Sequence, residues 1–583
     1  MDYFKKLLDL LKIERNEDRE QYKKLTESSS VAERRANGLT WFPVAIRGSE
    51  MSRGDYLTIE LERTTHQDIS HQFRTGMPAV FFTNHDPQKD RIEGTIAHQN
   101  GNKLKITIKD DELPEWSRDG KLGVDLLFDD NSYDEMNDAL KKASDLSEKS
   151  ALIQILTGAK SPTFKDFTPD LHLQKLNTSQ KNAVGKILSA NELAIVHGPP
   201  GTGKTTTLVQ AIKALVKRLR KQAQEFKNMA HKYKRSFGKS ERDQRKALFD
   251  EAHRIMKEVD NTEQYIIDDL LTKTQVVTAT LVGANHYTVR NLTYQTIVID
   301  EAGQALEPAC WIPILKAQKV ILAGDHCQLS PTIKSNEAAK NGLSKTLLEK
   351  CIELHPEAVT LLEEQYRMNE NIMGYSSSVF YDDKLKAHAS VAKSLLFTDD
   401  TPLLFIDTAG CGFEEKLEGT SSTNPDEATF TFKHIHLFVN ELSKKIIYSN
   451  NADWVQNPAS VQKDFPSIAV ISPYKQQINL LKTQFEHSPD LQKYKDHISV
   501  NTIDSFQGQE RDVVYISLTR SNDKGEIGFL ADIRRMNVAM TRARKKLVVI
   551  GDSATLGQHP FYANFIEYAE KKGGYVSAWE FLE

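Results

Sequence analysis

Glu192-Leu193-Ala194-Ile195-Val196-His197-Gly198-Pro199-Pro200-Gly201-Thr202-Gly203-Lys204-Thr205-Thr206-Thr207 joins an apolar run to a glycine-rich turn. Leu193 to Val196 reads as a buried parallel strand, and a helix is expected to open at Lys204. Gly198, Gly203, Lys204 and Thr205 fit the spacing G-x-x-x-x-G-K-[ST]. Glycines permit positive φ and let backbone N–H groups close around phosphate oxygens. The N-terminus of the following helix adds partial positive charge. Lys204 would reach the β/γ-phosphates of a nucleotide, and the Thr205 hydroxyl would hold Mg²⁺. Pro199, Pro200, Gly201, Thr202 and Thr206 complete the expected phosphate cradle. Chance would supply roughly 0.02 such matches in a chain of this length, so a nucleoside triphosphate site is expected here.

Working outward, the texture from about residue 150 is α/β. Apolar runs at Gln275 to Ala279, Thr296 to Ile299, Val320 to Leu322, Leu403 to Ile406, Ile468 to Ile471, Val513 to Leu518 and Leu547 to Ile550 end in polar residues, with helical stretches between them. That pattern predicts doubly wound parallel sheets with sites at the carboxyl ends of the strands. The number of runs suits two such domains. The run Thr296 to Ile299 ends in Asp300 and Glu301. Beside a phosphate loop, Asp300 is placed to hold the metal through water, and Glu301 to take a proton from the attacking water. Gln328, in Gly324-Asp325-His326-Cys327-Gln328-Leu329, is a candidate γ-phosphate contact. Arg367 and Arg542 lie further on, in Gln365-Tyr366-Arg367-Met368 and in the run Asn537 to Arg544. An arginine arriving from a second domain adds about 10³ to 10⁵ in phosphoryl-transfer rate.

Upstream, Phe4, Leu7, Leu8 and Leu11 follow helical spacing. Leu104, Ile106 and Ile108 alternate with polar residues at strand period, after an Asn100-Gly101 hairpin signal. Tyr56 to Leu61 and Pro78 to Phe82 read as further strands, and Tyr133, Met136 and Leu140 restore helical spacing. The expectation is a stalk helix over 1–34, a small antiparallel barrel over 35–129 and a second stalk helix over 130–149. A first parallel-sheet domain is expected over 150–345 and a second over 346–583. Between Lys213 and Ala247 there are 13 Lys and Arg against three Asp and Glu. A basic helical insertion over about 213–272 fits, either as a solvated face or as a nucleic-acid contact.

The chain has 583 residues and a net charge of −4, so it is no basic coat for nucleic acid, and any such site must be a local groove. Cys310, Cys327, Cys351 and Cys411 form no C-x-x-C pair. That points to a reducing compartment, read as cytoplasmic, or nuclear in a eukaryote. Met1 to Lys6 leads into an amphipathic helix rather than a signal sequence, and no apolar run approaches a membrane span.

Taken together, Leu176-Asn177-Thr178-Ser179-Gln180, the phosphate loop, Asp300-Glu301-Ala302-Gly303, Gly324 to Leu329, Gln365 to Met368, Ser472-Pro473-Tyr474, Thr502 to Glu510 and Asn537 to Arg544 resemble a superfamily 1 helicase. Within it, the set is similar to the branch of the nonsense-mediated-decay helicase and, more so, the immunoglobulin mu-binding helicase. The resemblance covers most of the chain. It implies two RecA-like motor domains with ATP and Mg²⁺ between them. It also implies adenine contact at Gln180, stacking at Tyr366, ribose contact at Glu510, and γ-phosphate contacts at Gln328, Arg367 and Arg542. Single-stranded DNA or RNA would be the partner, followed 5′→3′ by a monomer, with Thr502, Ser505, Ser472, Tyr474, Thr278 and Thr280 as strand contacts. No Cys/His-rich leader or C-terminal zinc module of some relatives is seen. The chain departs from the pattern after Leu219, where a strand, a backbone-contacting motif like A-P-S-N-x-A-V-D and a helix are missing. That keeps a second reading in view, an ATP-dependent nucleic-acid or ribonucleoprotein clamp that does not unwind.

Overall fold

The computed structural model describes residues 3–26, 29–52, 56–67, 69–85, 89–108, 110, 112–118, 120–165, 176–214, 270–271, 273–418, 421–449 and 465–582. The basic insertion read at 213–272 falls almost wholly outside them. Two parallel sheets form the body. In the first, Val359–Leu361, Leu193–His197, Ala317–Gly324 and Tyr294–Ile299 lie side by side in that order. Leu193–His197 is buried along its whole length. Leu193 and Ile195 join a core on one face, and Ala194 and Val196 a core on the other. A strand covered on both sides needs this continuous apolar run, because alternate side chains point to opposite faces.

In the second sheet the order is Ile498–Thr502, Ile468–Ser472, Arg511–Ser517, Ala543–Gly551, Leu403–Asp407 and Tyr575–Ser577, all parallel. Arg511–Ser517 runs from Glu510 at one end of this sheet to Thr519 at the other, a span of about 30 Å at strand rise.

Two expectations need correction. Gln275 to Ala279 is not a strand. Its β-favouring residues find no ladder, and Val276 is left exposed. Tyr294–Ile299 is therefore the edge of the first sheet among the described residues, half-buried along most of its length. The boundary read at 345/346 also falls too early. Val359–Leu361 pairs in parallel with Ile195–His197 and completes the first sheet. At three residues it is too short to carry a periodic signal.

The barrel is closed, six strands in the order Thr40–Ser52, Tyr56–Arg63, Lys103–Ile108, Arg91–Asn100, Pro78–Thr83 and Leu122–Leu126. Asn100 faces Lys103 across the expected hairpin. Helix Tyr3–Thr26 lies along helix Asp130–Leu146, with Arg15 bridging to Asp130 at 2.6 Å and Asp134 at 2.8 Å. At the barrel end, the Tyr22 hydroxyl donates to the Leu126 carbonyl at 2.7 Å. At the body end, Phe4 meets Trp311 edge-on at 5.1 Å, and buried Glu14 accepts the backbone N–H groups of Lys334 and Ser335. Among the described residues no helix is long and apolar enough to cross a membrane.

Candidate active site

Three parallel strands of the first sheet deliver their carboxyl ends to one place. Leu193–His197 ends at the glycine-rich turn, Tyr294–Ile299 at Asp300, and Ala317–Gly324 at Asp325. A helix does open at 204. Gly201 and Gly203 sit at φ +73° and +72°. A Cβ on Gly201 would lie 2.7 Å from the Arg367 Cβ, and one on Gly203 2.8 Å from the Gln180 amide nitrogen. Glycine is thus demanded twice over, by backbone conformation and by close approach. Gly198, Pro199, Pro200 and Thr202 are buried, whereas Thr205 and Thr206 are open to solvent.

Lys204 Nζ reaches across to Glu301 Oε1 at 2.8 Å, and Gln304 donates to the other Glu301 oxygen at 3.0 Å. Glu301 sits in the left-handed region at φ +53°, its N–H bonded to Asp300 Oδ1. Such a conformation is strained for a non-glycine residue and is common where a side chain must be aimed. Desolvation by the cleft wall raises the Asp300 carboxyl above its usual range, against the opposing pull of Lys204. The Thr205 hydroxyl and the Asp300 carboxylate are hard oxygen donors suited to Mg²⁺.

Gln180 closes the loop from below. Asn177 caps helix Thr178–Ser189 in a capping box with Gln180, and the Gln180 amide donates to the Thr202 carbonyl at 2.9 Å. Asn177 and Glu364 together hold the Tyr366 hydroxyl, at 3.0 and 2.8 Å. The Tyr366 ring is 39% exposed beside His388, 4.6 Å away centroid to centroid.

Asp325 is a buried hub that motif spacing did not reveal. It accepts hydrogen bonds from Gln328 at 2.8 Å, Tyr381 at 2.7 Å and the Cys327 N–H at 3.0 Å, and faces His197 Nε2 at 3.0 Å. Burial alone would raise its carboxyl; the His197 contact, followed by Gln328 and Tyr381, outweighs burial and holds it at about 2. Gln328 is thereby turned away from its expected role. Its amide is spent on Asp325 and the side chain is buried, so this structure does not aim it at a γ-phosphate. From the second sheet's side, Asn537 donates to the Cys327 carbonyl at 2.9 Å and to the Tyr381 hydroxyl at 3.1 Å, and so ties the two domains together.

The arginines do converge. Arg367 Nε and Arg544 both bond Glu510, and Arg367 Nη1 donates to the Thr541 carbonyl at 3.0 Å. Glu510, expected on a ribose, has both oxygens engaged by guanidinium groups, so it first serves to hold Arg367. Arg542 is 2% exposed and donates to Val538 O, Gln509 O and Thr541 Oγ1. Among the described residues no carboxylate pairs with it. Burial and then the Arg367 charge push it down to about 9, while Glu510 and Glu301 act in the opposite sense. It therefore stays charged at neutral pH.

The expected strand contacts divide. Thr502 and Ser505 share a 2.8 Å hydroxyl contact, with Ser505 exposed at the far edge of the second sheet. Ser472 and Tyr474 are corrected: both are buried, Ser472 against Thr519 and Tyr474 with its hydroxyl on the Ile527 carbonyl. A residue at or just past the end of a buried strand can be consumed by the neighbouring loop, which spacing alone does not reveal. Thr278 and Thr280 are exposed, but the strand expected to present them is missing.

Family models described as AAA domain match residues 343–554 and, in two overlapping pieces, residues 175–228 and 213–336. The DNA-binding protein SMUBP-2 of Rattus norvegicus is 32% identical over 99% of this chain and 64% of its own length. The DNA polymerase alpha-associated DNA helicase A of Saccharomyces cerevisiae is 32% identical over 73% of each chain. The chain spans under two thirds of the length of the rodent SMUBP-2 proteins, 63–64%. Among solved structures, an arterivirus nonstructural protein 10 helicase aligns with 87% of this chain and 78% of its own at 13% identity and a TM-score of 0.31, too loose a likeness to argue from.

Proposed function

The chain belongs to the superfamily 1 helicases, in the branch of the nonsense-mediated-decay helicase and the immunoglobulin mu-binding helicase, and on that basis we propose that it hydrolyses ATP between two RecA-like motor domains to move along single-stranded DNA or RNA. The observation that carries this reading is Arg542, a buried guanidinium with no carboxylate partner among the described residues, beside Arg367. A buried charge left without a counter-ion is costly. A γ-phosphate entering the cleft supplies the missing anion.

The steps follow from the contacts. The β/γ-phosphates take Lys204 from Glu301, which breaks the 2.8 Å ion pair. The freed Glu301 carboxylate then accepts a proton from the water that attacks the γ-phosphorus. The bond to the β-phosphate oxygen breaks, and ADP and phosphate leave. Arg367 and Arg542 stabilise the charge that develops on the equatorial oxygens. Thr205 and Asp300 would hold Mg²⁺, which would neutralise phosphate charge. Tyr366 stacks on the adenine, and Gln180 braces the phosphate loop through the Thr202 carbonyl. Opening and closing of the cleft is passed to the opposite edge of the second sheet, where Thr502 and Ser505 meet the strand. Family membership supports 5′→3′ movement and a monomer, with a stalk-borne barrel as accessory domain.

The edge position of Tyr294–Ile299 among the described residues favours a second reading, an ATP-dependent clamp that does not unwind, because that edge is where a further strand and its backbone contacts would sit. ATPase rates with and without single-stranded DNA and RNA, then unwinding of 5′- and 3′-tailed duplexes, separate the two. Stimulated hydrolysis with 5′-tailed unwinding is expected of the helicase. Stimulation without unwinding selects the clamp. An ATPase indifferent to both nucleic acids removes both readings.

A further inference from the structure

We propose that Phe529 is a platform on which one base of a bound single strand stacks. The proposal rests on the reading of the chain as a single-strand translocase. Residues 527–530 form an apolar turn, Ile527-Gly528-Phe529-Leu530. Ile527 and Leu530 are buried, at 8% and 2% exposure, and belong to the core of the second sheet; Phe529 is 53% exposed. The turn thus spends its aliphatic side chains on the core and leaves its one aromatic ring in solvent. A single exposed apolar side chain is ordinary. The setting of this one is not.

The ring is held from beneath. Tyr474, 2% exposed, lies 5.5 Å away centroid to centroid at a tilt of 37°, and its hydroxyl donates to the Ile527 carbonyl at 3.1 Å. Gly528 is at φ +55°, and a Cβ there would run into the Arg520 guanidinium, so the turn is pinned against its support. The ring is also tied to the hydroxyls at the strand edge. The Arg535 guanidinium carbon lies 5.9 Å from its centroid, and Arg535 Nε donates to Asp504 Oδ1 at 3.1 Å. Asp504 precedes Ser505, which contacts Thr502. Arg535 is balanced by Asp504 and Asp532, so it walls the ring rather than offering a free cation to phosphate.

The ligand chemistry follows. A half-exposed ring, linked through Arg535 and Asp504 to the Thr502–Ser505 pair, suits the π-face of a base next to its sugar-phosphate backbone. Every base has such a face, so stacking here is indifferent to sequence, as a translocating protein requires. The contact is with the base, not the phosphate. It adds affinity without adding to the salt dependence, which counts neutralised phosphates.

The test is equilibrium binding of a labelled single strand, intact or carrying consecutive abasic sites, to the full chain and to Phe529→Ala, Phe529→Leu and Phe529→Trp, across a salt series. The unmodified chain should prefer the intact strand. Phe529→Ala and Phe529→Leu should bind it about five-fold to a hundred-fold more weakly, lose the preference and keep the salt slope. Phe529→Trp should retain both affinity and preference. Equal affinity and equal abasic discrimination in Phe529→Ala overturns the platform, as does a loss accompanied by a shallower salt slope. If the unmodified chain binds no single strand at all, the translocase reading itself falls, which is a separate outcome.

Discussion

Arg542 has no carboxylate bonded to it among the described residues; it is held by three hydrogen bonds, to Val538, Gln509 and Thr541, and by the more distant charges of Glu510 and Glu301. Its charge becomes useful only when an anion arrives, so Arg542→Ala should lower turnover by about 10³ or more while nucleotide affinity changes far less. Steady-state rates set against binding of a fluorescent ADP give the two numbers. A change confined to the Michaelis constant would sink the assignment. Glu427 offers a test at another buried residue. One of its oxygens accepts the Ser517 hydroxyl at 2.5 Å and the Thr519 N–H at 2.8 Å, and the other has no partner. Burial, outweighing those bonds, pushes its carboxyl up to about 7 from an ordinary 4.5. The folded state therefore prefers the protonated form. Its contribution to stability is full below about pH 4.5, declines as pH rises through about 7, and is level above that. Glu427→Gln should remove that decline. Urea midpoints at pH 5 and pH 8 check it, and an equal fall in both proteins would clear Glu427 of responsibility.

The stalk is the element whose attachment can be tested with one substitution. Glu14 reaches from helix Tyr3–Thr26 to the backbone N–H groups of Lys334 and Ser335, a few residues past the Asp325 turn. Glu14→Ala leaves two donors without their acceptor, the Ser335 N–H buried and the Lys334 N–H part-buried, at a cost of about 1–3 kcal/mol. The expected result is a lower melting temperature together with faster hydrogen exchange over 334–338; unchanged exchange there would mean water replaces the carboxylate without loss. Helix Tyr3–Thr26 was legible because Phe4, Leu7 and Leu11 bury one stripe of it. Gln275 to Ala279 was misread for the converse reason. Strand-favouring residues make a strand only when a neighbour supplies the ladder, and periodicity says nothing of the neighbour.

For the whole molecule, the edge position of Tyr294–Ile299 among the described residues and the strand-contact motif missing from the sequence after Leu219 lead to one expectation about grip. Each phosphate neutralised on a single strand contributes about 0.7 to the slope of log K against log salt. With fewer contacts from the first domain, binding should be weak, its salt slope shallow, and unwinding poor. Inserting a relative's strand, motif and helix after Leu219 should steepen the slope and raise the unwinding rate. If neither changes, that segment makes no strand contact in this architecture.

What could be read in order along the chain was what local chemistry dictates. Gly201, Gly203 and Lys204 announce a phosphate loop because backbone angle, close approach and charge each demand a residue type at a set spacing. The fully apolar run Leu193 to Val196 announces a strand covered on both faces for a similar reason. Tertiary structure decided whatever depends on partners distant in sequence. It turned Gln328 onto Asp325, joined Asp325 to Tyr381 and Tyr381 to Asn537, and gave Glu510 to Arg367 and Arg544. It buried Ser472 and Tyr474 while leaving Phe529 in solvent. Hydrogen bonding and burial are properties of pairs and surroundings, and a residue's type and neighbours in sequence do not specify which distant group will claim it.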